Sequence, residues 1–242
     1  MFQQFVPHPL SNGTNPVGLD WGEALVPPRL LRQGGVEGDE VVGGGVGRVD
    51  ESVGQHVERR IGFDNPSETV LEHFTQPAFA AWEKTIYSFK DQGATRDALA
   101  QASNARFLAF LDADDLWSEN WLLEAARVLD KAEKSGQRVI AHPEANWIFE
   151  GSNGCLLKID QDDPYFLPEY FCFANYYDAL CMAPRAAHLD VPYAPRDIKA
   201  GYALEDWQWN IETMQAGWCH RHVPDTLIFK RRQAMSQTIQ AS

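Results

Sequence analysis

Phe107-Leu108-Ala109-Phe110-Leu111-Asp112-Ala113-Asp114-Asp115-Leu116-Trp117 is the stretch that decides how this sequence is read. A run of five apolar residues ends directly in three carboxylates within four positions. A compact apolar run of that length reads as a buried strand. Like charges crowded at its end are costly unless something neutralises them. A divalent cation would do so, because carboxylate oxygens suit Mg2+ or Mn2+, ions that commonly also hold a substrate's phosphates. The alternative is a solvated acidic turn capping the next helix, since Asp favours helix N-termini. Spacing alone leaves the two level.

Working outward, Ser118 reads as an N-cap, with Trp121, Leu122, Ala125, Val128 and Leu129 at helical spacing and a stop near Gly136. Upstream, 57–63 and 85–89 read as strands and 94–102 as a helix after Gly93. Residues 68–82 read as a helix that Pro77 should kink or split. Downstream, 138–141 and 147–149 are strand candidates, 204–216 a helix ended by Gly217, and 222–230 a final strand. Strands alternating with helices imply an α/β domain with a mostly parallel sheet and helices on both faces. Ligands of such folds sit at the carboxyl ends of the strands.

The chain has 242 residues, 44% of them hydrophobic, enough for a sizeable core and too many for wholesale disorder. Its net charge of −13 would repel phosphate backbones, which argues against nucleic acid and anionic membranes as general partners. The cysteines at 155, 172, 181 and 219 form no C-x-x-C pair, so reduced and mostly buried thiols are expected. No apolar run approaches the roughly 18 residues that span a bilayer. The first residues carry neither a basic segment nor an apolar one of the secretory kind, which points to the cytoplasm. Eight of the 18 glycines fall between Gly34 and Gly54, where no helical or strand period survives. Residues 1–56 therefore read as a Gly/Pro-rich, poorly ordered or divergent segment ahead of a domain over 57–242.

The segment from Phe110 to Trp117 resembles the nucleotide-sugar-binding strand of GT-A glycosyltransferases, specifically the inverting family 2 with its D-x-D signature. Gly93, Arg96-Asp97 and Ala98-Leu99-Ala100 match the Gly and the Arg-Asn pair that precede that strand in the family, with Asp97 in place of Asn. Phe63-Asp64-Asn65-Pro66-Ser67 resembles its D-D/N-G-S loop, with Pro66 in place of Gly. Tyr202-Ala203-Leu204-Glu205-Asp206-Trp207-Gln208-Trp209 resembles its E-D motif, followed as expected by Gly217-Trp218 and a strand. Arg231-Arg232-Gln233 stands where relatives carry a basic or His-containing segment that closes over the diphosphate. The resemblance covers roughly residues 57–235. The family's apolar first strand has no counterpart in the Gly-rich interval.

The resemblance implies a GT-A fold, with a mixed, mainly parallel sheet flanked by helices. It also implies inverting transfer of a sugar from a nucleoside-diphosphate sugar to a saccharide or other acceptor hydroxyl. Asp112 and Asp114 would position the ribose and the metal-bound diphosphate, with Asp115 as a further ligand of Mg2+ or Mn2+. Asp206 would take the acceptor proton, supported by Glu205; between Trp207 and Trp209 it would be partly desolvated and a better base. Asp64 would touch the nucleoside, and Arg96 would stabilise the loop or a phosphate. Arg231 and Arg232 would supply charge to the leaving group. Trp207, Trp209, Tyr176 and Tyr177 are either sugar-stacking or core aromatics. The commonest use of the family is polysaccharide biosynthesis, which implies a cytoplasmic protein in peripheral association with the inner membrane face. The missing first strand keeps open an inactive GT-A-like fragment that binds metal or sugar nucleotide, and a similar fold with a carboxylate-held metal keeps open a nucleotidyltransferase.

Overall fold

A computed structural model of the chain describes residues 40–44, 57–150, 152–197 and 204–232. The strands are β1 (Glu40–Gly44), β2 (Arg60–Asp64), β3 (Glu83–Tyr87), β4 (Phe107–Asp112), β5 (Leu116–Trp117), β6 (Val139–Glu150), β7 (Gly154–Leu157), β8 (Met182–Pro184) and β9 (Cys219–Arg232). The helices are α1 (Glu68–His73), α2 (Gln92–Ala102), α3 (Trp121–Lys134), α4 (Arg185–Asp190) and α5 (Glu205–Gln215). The strands form one sheet in the order β3-β2-β1-β4-β8-β6-β9-β5, and β7 pairs with β6.

That sheet is mixed, which corrects the mainly parallel sheet expected from the sequence. Only β2–β3 and β6–β9 pair in parallel. β1 runs antiparallel between β2 and β4, and β8 does the same between β4 and β6. The directions nevertheless follow from these pairings: β2, β3, β4, β6 and β9 all point one way. Their carboxyl ends therefore share one edge of the sheet, where Asp64 and Asp112 close β2 and β4.

β1 lies inside the Gly-rich tract, where the sequence shows no strand period. Gly43 pairs with Ile61 and Leu111, and Gly44 with Phe110. The remainder of the expected 1–56 segment lies outside the described residues. Pro77 splits the expected 68–82 helix: α1 ends at His73 and a separate 3-10 turn spans Pro77–Phe79. Ser118 does not cap α3, whose N-cap is Asn120. Instead Ser118 Oγ accepts the Leu227 N–H at 3.0 Å and fastens the approach to α3 onto β9. The two strands expected at 138–141 and 147–149 are one strand, β6. Its pairing with β9 shifts register between Pro143 and Ala145, and this breaks the alternation in the sequence.

Successive residues of a strand face opposite sides, and the core follows that rule. Val139, Ala141 and Met182 pack with Trp121, Ala125 and Leu129 of α3. Ile140 and Ala183 pack on the other face with Ala187 of α4 and Trp209 of α5. Trp209 and Tyr177 are buried there and are core aromatics, not stacking surfaces. Of the cysteines only Cys181 is buried, against the expectation of mostly buried thiols. No helix among the described residues is long and apolar enough to cross a membrane.

Candidate functional site

The site is organised around α2. Asp91 caps this helix through the Ala94 N–H at 3.0 Å, and its other oxygen accepts the Arg196 N–H at 3.0 Å. In the first turn, a Cβ on Gly93 would lie 2.8 Å from Tyr193 Cβ and 3.3 Å from Glu205 Cγ. Glycine thus allows α2 to approach the chain that leads into α5. Asp97, where family 2 carries Asn, accepts the Tyr193 N–H with both oxygens, at 3.0 and 3.2 Å. The position requires only an acceptor, which either residue supplies.

Arg96 lies one turn into α2 with its side chain 2% exposed. Its Nη2 donates to Asp112 Oδ1 and its Nη1 to Glu205 Oε1, both at 2.9 Å. The acidic turn after β4 and the acid pair opening α5 are distant in sequence, yet they share this one guanidinium. Burial alone would lower the Arg96 pKa, but the charges around it, Asp112 foremost, hold it above its ordinary value.

The carboxylates differ in how they are held. Asp112 Oδ1 also accepts from Gln92 Nε2 at 3.0 Å. Asp115 is buried, accepts the Arg231 N–H at 2.9 Å, and lies 3.4 Å from Lys230 Nζ. Burial, and then the neighbouring Asp112 and Asp114 charges, push Asp115 up to about 7 against the opposing pull of Lys230. Asp114 is raised by burial and by Asp112, and no hydrogen bond or ion pair from another described residue reaches its carboxylate. Asp206 accepts the Trp207 N–H at 2.7 Å. Burial first, then Glu205 and Asp178, push Asp206 up to about 6.

Four members of the site carry no motif in the sequence. Asp178 accepts from Asn146 Nδ2 at 2.5 Å and from Lys158 Nζ at 3.1 Å. Lys230 Nζ lies 3.8 Å from the same carboxylate. Burial would raise Asp178, but Lys158 and Lys230 draw it well below the carboxylate range. The only sequence signal for Lys230 is its parity with the buried Ile228 on β9. Asp178, Lys158 and Asn146 are scattered polar residues that only the fold brings together.

Two expected positions stand differently. The Arg231 guanidinium binds Glu150, at 2.8 and 2.9 Å, its backbone N–H bonds Asp115, and its charge also acts on Asp114. Strand alternation turns it away from the face that Lys230 shares. The Arg232 side chain and Gln233 lie outside the described residues. Asp64 is buried, and its carboxylate accepts the backbone N–H groups of Lys90 at 3.0 Å and Asp91 at 2.8 Å. It braces the turn into α2, in which Lys90 holds a left-handed φ of 55°.

Among the described residues, no three carboxylate, imidazole or thiol groups converge to hold a metal ion. Arg96 and Gln92 occupy one oxygen of Asp112, and Asp115 is held by the Arg231 amide beside Lys230. Asp112, Asp114 and Asp115 therefore do not form a joint ligand set. Asp114 alone fits a cation that completes its shell on a ligand's phosphates, a common arrangement for Mg2+. The charge balance favours such an ion, because among the described residues Asp112, Asp114, Asp115, Asp178, Glu205 and Asp206 outnumber the cations that act on them, Arg96, Lys158, Lys230 and Arg231. A cavity of about 510 Å3 lies elsewhere, at the opposite ends of β2 and β4, against Arg60, Leu99 and Phe107.

No family model and no curated protein sequence matches this chain. Solved structures do match. Residues 1–349 of S. aureus TarS in complex with UDP-GlcNAc align with a TM-score of 0.50 at 12% identity, over 76% of this chain and 52% of that one. GalNAc-T7 with UDP, GalNAc and Mn2+ aligns with a TM-score of 0.51 at 14% identity, over 76% of this chain and 40% of that one. Both neighbours are GT-A-type glycosyltransferases, and at this identity the likeness is one of fold. The chain spans about half the length of the TarS structure.

Proposed function

We propose that this chain is a glycosyltransferase of the family 2 kind, moving a sugar from a nucleoside-diphosphate sugar to an acceptor hydroxyl with inversion. The observation that carries this reading is the Arg96 bridge between Asp112 and Glu205. It joins a donor-side acidic turn to an acceptor-side acid pair at the edge of the sheet where α/β folds bind ligands. The GT-A-type fold shared with the neighbours supports it.

In this reading Asp206 takes the proton of the attacking hydroxyl. With its pKa near 6 it is ionised at neutral pH yet more basic than an ordinary Asp. Glu205, held by Arg96, fixes the first turn of α5 so that Asp206 faces the donor. Asp112 keeps its second oxygen for a ribose hydroxyl. Asp64 acts through the turn it braces and so shapes the nucleoside end. The acceptor oxygen attacks the anomeric carbon on the face opposite the diphosphate, the sugar–diphosphate bond breaks, and the configuration inverts. Mg2+ or Mn2+, held by Asp114 and the diphosphate, would neutralise the charge that develops on the leaving group. The acceptor belongs to polysaccharide or glycoconjugate synthesis, at the cytoplasmic face of a membrane. Residues 57–242 form the working domain, with β1 supplied from the segment before it.

The antiparallel β1 favours a second reading, in which the chain binds a sugar nucleotide without turning it over, because family 2 takes its first nucleotide contacts from a strand in that slot. The Asp206→Asn variant tests the catalytic reading. Donor binding measured by calorimetry should stay near wild type while transfer falls by about 10²–10⁴-fold. Equal loss of binding and transfer refutes the base assignment. Pyrophosphate release from a nucleoside triphosphate would point instead to a nucleotidyltransferase.

A further inference from the structure

The three cations of the site are not equivalent. The side chain of Arg96 is 2% exposed and that of Lys158 is 3% exposed, and each is hydrogen-bonded to a carboxylate. The Lys230 side chain is 23% exposed. Its ammonium stands 3.4 Å from Asp115 and 3.8 Å from Asp178. Both distances exceed the roughly 2.7–2.9 Å of a strong charge-assisted bond. An ammonium carries three N–H donors, and none of those on Lys230 makes a hydrogen bond to a described group. Lys230 is the cation of the cluster that a ligand can reach and that still has donors to offer.

The register explains its position. Leu116 pairs with Phe229 and Trp117 with Ile228, so the next antiparallel pair sets Asp115 opposite Lys230. Its departure would take a charge from both neighbours but leave each of them hydrogen-bonded. Asp115 keeps the Arg231 N–H, and Asp178 keeps Lys158 and Asn146. The four-carbon stem of a lysine lets the charge swing where an arginine fork would be fixed.

We infer that Lys230 is a phosphate-binding residue: its ammonium leaves its loose seat between Asp115 and Asp178 to bond the diphosphate of a bound nucleotide. This rests on the donor-binding reading above and moves the role expected of Arg231 one residue back. It follows that the site distinguishes nucleoside diphosphates from monophosphates largely through this side chain.

Titration calorimetry in EDTA with matched diphosphate and monophosphate pairs (UDP/UMP, GDP/GMP, ADP/AMP, CDP/CMP, dTDP/dTMP) tests this. Wild type should favour the diphosphate of its preferred base by about tenfold or more, the size expected of one charged hydrogen bond. Lys230→Met should abolish that preference and leave monophosphate affinity unchanged, and Lys230→Arg should restore part of it. A diphosphate preference that survives in Lys230→Met overturns the inference. Should that variant fail to fold, Lys230→Met combined with Asp115→Asn removes the facing carboxylate and gives the same readout. Wild type binding no nucleotide of any pair, with or without Mn2+, would sink the donor-binding reading itself, and this inference with it.

Discussion

Replacing Arg96 with Met tests the architecture of the site more severely than any other single change. The side chain is 2% exposed and touches Asp112 and Glu205 at 2.9 Å each. Met keeps the aliphatic volume and removes the charge. Two carboxylates then face each other with their shared cation gone. Breaking a buried ion pair by deleting one partner costs about 3–5 kcal/mol. In a domain of this size each kcal/mol moves the melting temperature by about 2–4 °C, so the fall should be roughly 6–20 °C. Asp112 is 23% exposed, and hydration of that carboxylate sets the value toward the lower end. Thermal unfolding followed by circular dichroism at pH 7.5 is the assay. Adding Glu205→Gln should recover part of the loss at pH 7.5. A deficit below about 1 kcal/mol, or one that Glu205→Gln does not relieve, would refute the view that Arg96 joins the two motifs by charge.

Three further outcomes follow. If Asp206 is the base, kcat should fall as pH drops through about 6, where its carboxylate gains a proton, and an activity profile from pH 5 to 8 checks this. Asp114→Ala should remove any enhancement of nucleotide binding by Mn2+ while leaving metal-free binding close to wild type, both read by calorimetry. His188 stacks on the Trp209 ring beside Tyr193, with no hydrogen-bond partner for either nitrogen among the described residues, and burial depresses its pKa from 6.5 to about 3. The unfolded chain binds that proton first, so the stability tied to neutral His188 is complete above 6.5 and is lost as pH falls toward 3. His188→Phe should therefore lose ~2 kcal/mol less than wild type between pH 8 and pH 5 in urea melts.

The parts of the fold that were legible in the sequence are those whose signals are local. β4 announces itself by an apolar run ending in acids, α3 by helical spacing that stops near Gly136, and α5 by the Gly217 that ends it. β1 was illegible because glycines carry no pattern, although the backbone of Gly43 and Gly44 pairs with neighbours as any residue would. β8 and α4 are three and six residues long, too short for a period to register. In the site, Asp112, Asp114, Glu205 and Asp206 lie on recognisable motifs. Lys158 and Asp178 do not, because their meeting depends on the β6–β7 hairpin and on a loop that returns to it. Arg231 and Lys230 are separated only by strand parity, which a sequence shows once the register of β9 is known.

Among the described residues, α2 belongs to the smallest of the three apolar clusters. Its cluster consists of Leu99, Ala100 and Phe110, with Tyr87 and Leu108 against it, while α3 and α5 rest on much larger ones. Polar bonds hold α2 as well. Asp91 fastens its start to Arg196, Asp97 its middle to Tyr193, and Arg96 binds both motifs. At its C-terminus Arg185 donates to the carbonyls of Ala100 and Gln101. Hydrophobic burial is non-directional and tolerates sliding, whereas hydrogen bonds to charged groups weaken steeply when bent or stretched. A helix fixed mainly by the second kind of contact is located more sharply than one fixed by the first. Transfer between two bound sugars requires reacting groups held to a fraction of an ångström. The polar anchoring of α2 therefore helps to present Asp112 and Glu205 in a fixed relation, and it explains why loss of the Arg96 charge should damage geometry as well as stability.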